Sequence, residues 1–361
     1  MELEKILESY PKHFGKIHRN IALHLDKKTC IYGASGIGKT EAVLSYYAKT
    51  EWNPYKKMYL NLRDSHLCSY RILESLPEFL QENDIDILIL DHFNPSVFPI
   101  TILDSIANTP QITIISQFPF ALNAYTLFEM PPIIFQEFTK IHKTSLDESL
   151  NLYLKFGNLL EAESLNEYKK GDFLRILAGD STNFWILQNL ILHLGQKVSL
   201  HQIFTKLKKE GKLSKDRFYE YCKALNESKM LFWLTKFEHE SAPKKLYFWD
   251  FTLKNTISYQ RNFGLLFENM IFLELLYRFQ EEVYYTDKLD FYLPNLSLGI
   301  LCAPFIQSSI LEERLHKITK EREFCDSFLI LSLNHKKTGE NLGMPYKILP
   351  FEEFALMDSL V

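Results

Sequence analysis

The sequence predicts an α/β protein built on a mostly parallel sheet. Two observations carry that prediction. Up to about residue 142, short apolar segments at 29–32, 58–62, 86–90 and 111–115 alternate with helix-forming stretches. This is the pattern of strands joined by helical crossovers. The first of these segments, Thr29-Cys30-Ile31-Tyr32, also runs directly into Gly33-Ala34-Ser35-Gly36-Ile37-Gly38-Lys39-Thr40, a G-x-x-x-x-G-K-T run.

That run lies where a phosphate-binding loop belongs, between a strand and a helix. Thr29 to Tyr32 is β-branched and aromatic, and Thr40 to Ala48 carries Val43, Leu44 and Tyr47 at helical spacing. Glycines let backbone N–H groups close around phosphate oxygens, and a helix N-terminus adds the positive end of its dipole. Gly33, Ser35, Gly36, Ile37, Gly38, Lys39 and Thr40 are therefore the expected nucleotide-binding set. Lys39 would reach the β- and γ-phosphates, and the Thr40 hydroxyl would ligate Mg²⁺. The bland alternative is a glycine-rich turn with no ligand.

Composition narrows the remaining classes. A chain of 361 residues allows two or three domains and a sizeable core. The net charge of −4 gives no overall nucleic-acid or membrane signature, so any basic surface must be local. Five cysteines, odd in number and without a C-x-x-C, suggest neither a zinc knuckle nor a disulfide framework. Reduced thiols in the cytoplasm are expected. Met1-Glu2-Leu3-Glu4 is acidic where a signal peptide would be basic, and no apolar run reaches the ~18 residues of a membrane span. No membrane partner is expected.

The third segment, Ile85-Asp86-Ile87-Leu88-Ile89-Leu90-Asp91, is an apolar strand ending in a carboxylate about 50 residues after the loop. Asp91 is expected to orient Mg²⁺ through water, against the alternative of a strand-end turn residue. The next position is His92, where fast ATPases usually carry a glutamate that polarises the attacking water. A neutral imidazole has no negative charge and one acceptor, and losing a water-positioning group forfeits ~10²–10⁴-fold in rate. After the fourth segment, Ser116 or Gln117 can sense the γ-phosphate, or Ser116 can simply end the strand before Pro119. No arginine occurs between Arg71 and Arg175, so an arginine finger, worth ~10³–10⁵-fold, would have to come in trans. Nucleotide binding with slow hydrolysis is the expectation, with His92 and Ser116 as the candidate catalytic residues.

Beyond residue 144 the pattern turns helical, and 198–249 predicts a small winged-helix unit. Ser199 can cap a helix bearing Leu200, Ile203, Phe204 and Leu207, which Gly211 ends. Ser214 can cap a second helix with Phe218, Tyr221, Cys222 and Leu225 on one face, and Met230–Phe237 with Lys245–Trp249 would form the wing. Between Lys206 and Lys229, eight basic residues stand against Glu210, Asp216, Glu220 and Glu227. That surplus makes DNA a candidate partner through residues 206–229, with packing between domains as the alternative. A long helix over Leu265–Phe279, then strands near 283–286, 290–293, 298–302 and 327–333, predict a second α/β domain.

Several segments together resemble one family: the loop Gly33–Thr40, Met58-Tyr59-Leu60-Asn61-Leu62, Leu88-Ile89-Leu90-Asp91, Pro132-Ile133-Ile134-Phe135-Gln136-Glu137-Phe138, Tyr247-Phe248-Trp249-Asp250 and Gly264-Leu265-Leu266-Phe267-Glu268-Asn269. These are similar to the prokaryotic AAA-type ATPases with a C-terminal restriction-endonuclease-like domain. The resemblance implies a P-loop NTPase core of AAA or STAND-like type over 1–143, a helical lid and winged helix over 144–249, and a restriction-endonuclease-like α/β domain over 250–361. It also implies ATP as the nucleotide. Asp91-His92 departs from the family's Asp-Glu, and the arginine usual after the sensor strand is missing. A nuclease of that fold needs an Asp and a Glu-x-Lys around Mg²⁺. Glu268 and Asp290 match two carboxylate positions, yet residues 297–304 hold neither Glu nor Lys, and no lysine lies between Lys288 and Lys317. The terminal domain is expected to lack nuclease activity, with Glu268 pairing with a neighbour and Asp290 capping a strand. The reading is an ATP·Mg²⁺-dependent switch or slow ATPase, acting with a protein partner or by self-association. A DNA-associated ATPase completed by an arginine in trans is the alternative.

Overall fold

The computed structural model describes residues 2–11, 19–64, 73–120, 123–159, 167–318, 324–341 and 343–360; Cys68 and Arg71 lie outside them. The chain divides into two compact units, Met1–Pro131 and Pro132–Val361.

The first unit is an α/β structure around five parallel strands: β1 Lys28–Tyr32, β2 Lys57–Asn61, β3 Ile87–Phe93, β4 Gln111–Ser116 and β5 Thr126–Glu129. Their order is β2-β3-β4-β1-β5, and every pairing is parallel. β3 and β4 are buried along nearly their whole length, as parallel strands covered on both faces must be. Leu88, Leu90, Ile112 and Ile114 pack with Met58 and Leu60 against Leu76, Leu80, Leu103 and Ile106. The four expected strands form within a few residues of their predicted places. β5 escaped prediction because it is a short edge strand whose first residues face solvent. β1 and β4 are neighbours, but the chain leaves β1 for distant β2 and leaves β4 for β5 on the other side of β1. A crevice outside the carboxyl ends of such strands is where open α/β sheets bind ligands.

The second unit opens with helices Phe135–His142, Leu146–Phe156, Glu167–Ala178 and Ser181–Leu192. An antiparallel sheet of β6 Lys197–Val198, β7 Leu231–Leu234 and β8 Lys244–Phe248 follows, in the order β6-β8-β7. Helices Leu200–Glu210 and Lys215–Glu227 lie between β6 and β7 in sequence. Ser199 and Ser214 cap these helices, as expected from the sequence, and Gln202 adds the reciprocal bond of a capping box with Ser199. Helix Phe263–Tyr277 is apolar around most of its circumference and buried from Leu266 to Leu275, so it serves as a core element.

The last sheet comprises β9 Phe291–Leu293, β10 Leu298–Cys302, β11 Ser327–Ser332, β12 Lys337–Asn341 and β13 Met344–Pro350, ordered β12-β13-β11-β10-β9. Its centre is parallel and its two edges antiparallel. The strand expected at 283–286 is reduced to isolated bridges at Tyr284 and Tyr285. β12 and β13 were not foreseen: β12 is polar and gains its extended form by pairing with β13, whose two prolines obscure its pattern. Cys30, Cys222, Cys302 and Cys325 are buried free thiols. Among the described residues, no helix is long and apolar enough to cross a membrane.

Gly157 is one place where the second unit requires glycine. Its φ is +83°, and an added Cβ would lie 2.1 Å from Asp250 Oδ1. That buried oxygen accepts from the Thr252 N–H at 2.9 Å and hydroxyl at 2.8 Å. Gly157→Ala is expected to destabilise the fold by about 2–4 kcal/mol, read as a lowered urea midpoint. An unchanged midpoint contradicts this packing.

Candidate functional site

The loop after β1 has the backbone its sequence demands. Gly36 and Gly38 sit at φ +80° and +84°, in the left-handed region that glycine enters without penalty. Gly33 is at φ +142°, and a Cβ there would lie 2.7 Å from the Met130 carbonyl oxygen. The loop therefore fits tightly against the segment after β5. Gly38 starts helix Lys39–Tyr47 and, as glycine, has no side chain with which to cap it. Arg19 fastens the loop from within. It is buried, and its guanidinium donates to the Ile37 carbonyl and, at 3.1 and 3.2 Å, to that of Pro131.

Lys39 Nζ donates to the carbonyls of Gly33 at 2.8 Å and Ala34 at 2.7 Å. Burial pushes this amine down to about 7; the Arg63 and Arg19 charges add to the shift, and Asp91 opposes it. An anion placed in the loop would favour the protonated amine and reverse part of that shift.

Asp91 is fully buried at the end of β3. Its Oδ2 accepts from the Thr40 hydroxyl at 2.8 Å and the Tyr59 hydroxyl at 2.7 Å, and its Oδ1 accepts from the His92 N–H at 2.7 Å. Thr40 and Asp91, far apart in sequence, thus meet as the motif reading required. Tyr59 was not anticipated. It projects from β2 beside β3, and burial followed by the Asp91 charge holds its hydroxyl protonated, well above the usual tyrosine range. Among the described residues, no three His, Cys, Asp or Glu side chains group as metal ligands.

His92 follows at φ +60°, where the β3–β4 register shifts between Leu90 and Phe93. Such an irregularity redirects a side chain at a strand end. The imidazole Nε2 lies 4.0 Å from Asp91 Oδ2. Burial, reinforced by Arg63 and Lys39, pushes its pKa below the ordinary histidine value despite Asp91. That shift favours the neutral ring. Ser116 is buried opposite Phe93, and its Oγ accepts from the Phe118 N–H at 3.1 Å. Its oxygen therefore serves the strand-ending turn. Gln117 instead lines a cleft of about 270 Å³ with Arg63, His92, Asn94, Phe98 and Phe118.

The basic segment 206–229 is partly engaged internally. Arg217 pairs with Asp180 at 2.5 Å and donates to Asn183 at 3.3 Å, and Lys223 faces Glu227 at 3.6 Å. Lys208 and Lys215 lie over the rings of Phe204 and Tyr219.

In the terminal sheet region, Glu268 and Asp290 are both neutralised by protein cations. Glu268 Oε1 accepts from Lys245 Nζ at 2.7 Å and from the Tyr247 hydroxyl. Asp290 Oδ2 accepts from Arg314 at 2.9 Å and from the Cys302 N–H at 2.8 Å, while Lys245 lies 3.9 Å from its Oδ1. Lys245 comes from β8, ahead of the helix that carries Glu268. Burial alone would lower its pKa, but Glu268 and Asp290 outweigh burial and raise it. Removing one partner leaves the other charge buried alone, so Lys245→Met is expected to destabilise the fold by about 3–5 kcal/mol. Adding Glu268→Gln, which keeps an acceptor for Tyr247, should restore most of that loss. Chemical denaturation of both variants tests this; equal midpoints for parent and Lys245→Met would refute the pairing.

No family model matches the chain. It is similar to an uncharacterized protein of Methanocaldococcus jannaschii, 26% identical over 206 residues, covering 47% of this chain and 47% of that protein. The chain thus spans about half the length of that relative.

Proposed function

We propose that this protein binds ATP with Mg²⁺ at the loop Gly33–Thr40 and works as a nucleotide-dependent switch or slow ATPase, in the manner of the AAA-type proteins it resembles. One observation carries the reading. A glycine-shaped loop leads into a helix N-terminus at Gly38 and brings Lys39 and the Thr40–Asp91 pair to the carboxyl edge of a parallel sheet. Such termini receive phosphate through amides and dipole together. The residues fit a magnesium nucleotide: the Thr40 hydroxyl would hold the metal and Asp91 would orient its water. Mg²⁺ would neutralise the phosphate charge.

Slow turnover follows from the groups around the place of reaction. The environment of His92 favours a neutral ring, and the residue sits on left-handed backbone, a conformation more open to His than to most residues. It cannot supply the charge with which a carboxylate polarises water. The ion-paired Glu268 and Asp290 support a terminal region without nuclease activity. DNA through residues 206–229 is the second reading. The local basic surplus favours it, and the engagement of Arg217 with Asp180 and Asn183 weighs against base readout.

Titration calorimetry with ATP·Mg²⁺, alongside phosphate release, tests the proposal. Lys39→Ala should lose binding by about tenfold or more. Parent turnover should stay below about 1 per second. His92→Glu should raise it severalfold, although left-handed backbone costs Glu about 1–2 kcal/mol. Parent turnover above that limit, or His92→Glu unchanged with binding intact, contradicts the impaired-hydrolysis account.

The Lys39 shift adds a pH signature. The free amine loses its proton near pH 7, and bound phosphate favours the ammonium. Binding should therefore take up a proton above pH 7, and affinity should fall as pH rises, by at most about tenfold per unit. Affinity that is flat from pH 7 to 9 argues against a direct Lys39–phosphate contact.

A further inference from the structure

We propose that Arg63 contacts the terminal phosphate of bound ATP in cis and so distinguishes ATP from ADP. This inference rests on the nucleotide site proposed above and assigns it a charge that the sequence reading sought only from another chain.

Arg63 stands just beyond the carboxyl end of β2, the strand that pairs Asn61 with Asp91. Two hydrogen bonds fix its backbone there. The Leu62 N–H donates to the Asp91 carbonyl at 3.0 Å, and the Arg63 N–H donates to Asn61 Oδ1 at 3.1 Å. The residue is exposed, and its side chain lines the cleft of about 270 Å³ that His92, Asn94 and Gln117 also line. That cleft adjoins Asp91 through His92, on the edge of the sheet that carries the loop. Arg19 is already committed to the carbonyls of Ile37 and Pro131; among the described residues, Arg63 is the arginine that lines the cleft. Its charge also acts on both Lys39 and His92, which places it in the same local field. A planar guanidinium suits a phosphoryl group bearing three oxygens, because it donates two parallel hydrogen bonds. ADP offers no terminal group to that position, so the contact would be made in one nucleotide state only. Differential contact of this kind is what shifts a two-state equilibrium.

The test compares a non-hydrolysable ATP analogue with ADP, each with Mg²⁺, on the parent chain, Arg63→Ala and Arg63→Lys. Arg63→Ala should reduce the analogue-to-ADP affinity ratio about tenfold or more, while ADP affinity stays within about twofold; Arg63→Lys should recover part of the ratio. Retained ADP binding also shows that the variant is folded. An unchanged ratio with normal ADP binding overturns this inference and leaves the nucleotide site standing. Failure of the parent to bind either nucleotide overturns both.

Discussion

A buried carboxylate must be matched by donors, and at Asp91 that requirement ties the first unit together. Its two oxygens receive a hydroxyl from the helix after the loop, a hydroxyl from β2 and the N–H of the next residue on β3. Hydrogen bonds to a charged group contribute about 1.5–3 kcal/mol each, and leaving such a group unmatched away from water costs more. The three donors therefore fix the positions of three chain segments relative to one another. Thr40 cannot leave without taking a donor from Asp91, so the end of the loop is held against the carboxyl edge of the sheet.

The rest of the loop is shaped by constraints that act on backbone. Positive φ at Gly36 and Gly38 turns successive amides, and the approach of Met130 leaves no space for a side chain at Gly33. Arg19 then binds a carbonyl of the loop and one of the segment after β5. These constraints come from the chain itself, and preorganisation of this kind would lower the entropy lost on binding a ligand. Lys39 is held by two carbonyls of the loop itself. A phosphate would compete for that amine, and the exchange would release the loop carbonyls.

Much of the sheet was legible because parallel strands buried on both faces are continuous apolar runs, as Leu88 to Leu90 and Ile112 to Ile115 are. β5 and β12 were not legible, since edge strands owe their form to a neighbour and carry little pattern of their own. At the site, Thr40 and Asp91 were readable from motif spacing alone. Tyr59, Arg19 and Arg63 were not, because Tyr59 and Arg63 come from β2 and its end, Arg19 from ahead of β1, and the strand order β2-β3-β4-β1-β5 is what sets β2 beside Asp91. Ser116 shows the opposite difficulty: a polar residue at a strand end reads equally as a sensor or a turn, and its oxygen accepts the turn's N–H. Lys245 escaped for the same reason as Tyr59. It neutralises Glu268 from β8, 23 positions before the carboxylate and outside the stretch where a nuclease lysine is expected.

The central claim is that the amides around Gly36 to Thr40 are shaped to hold phosphate. Hydrogen–deuterium exchange measures those amides directly, with and without saturating ATP and Mg²⁺. The account predicts slower exchange at Gly36, Gly38, Lys39 and Thr40 when nucleotide is present. Exchange there that is unaffected by ATP would contradict it.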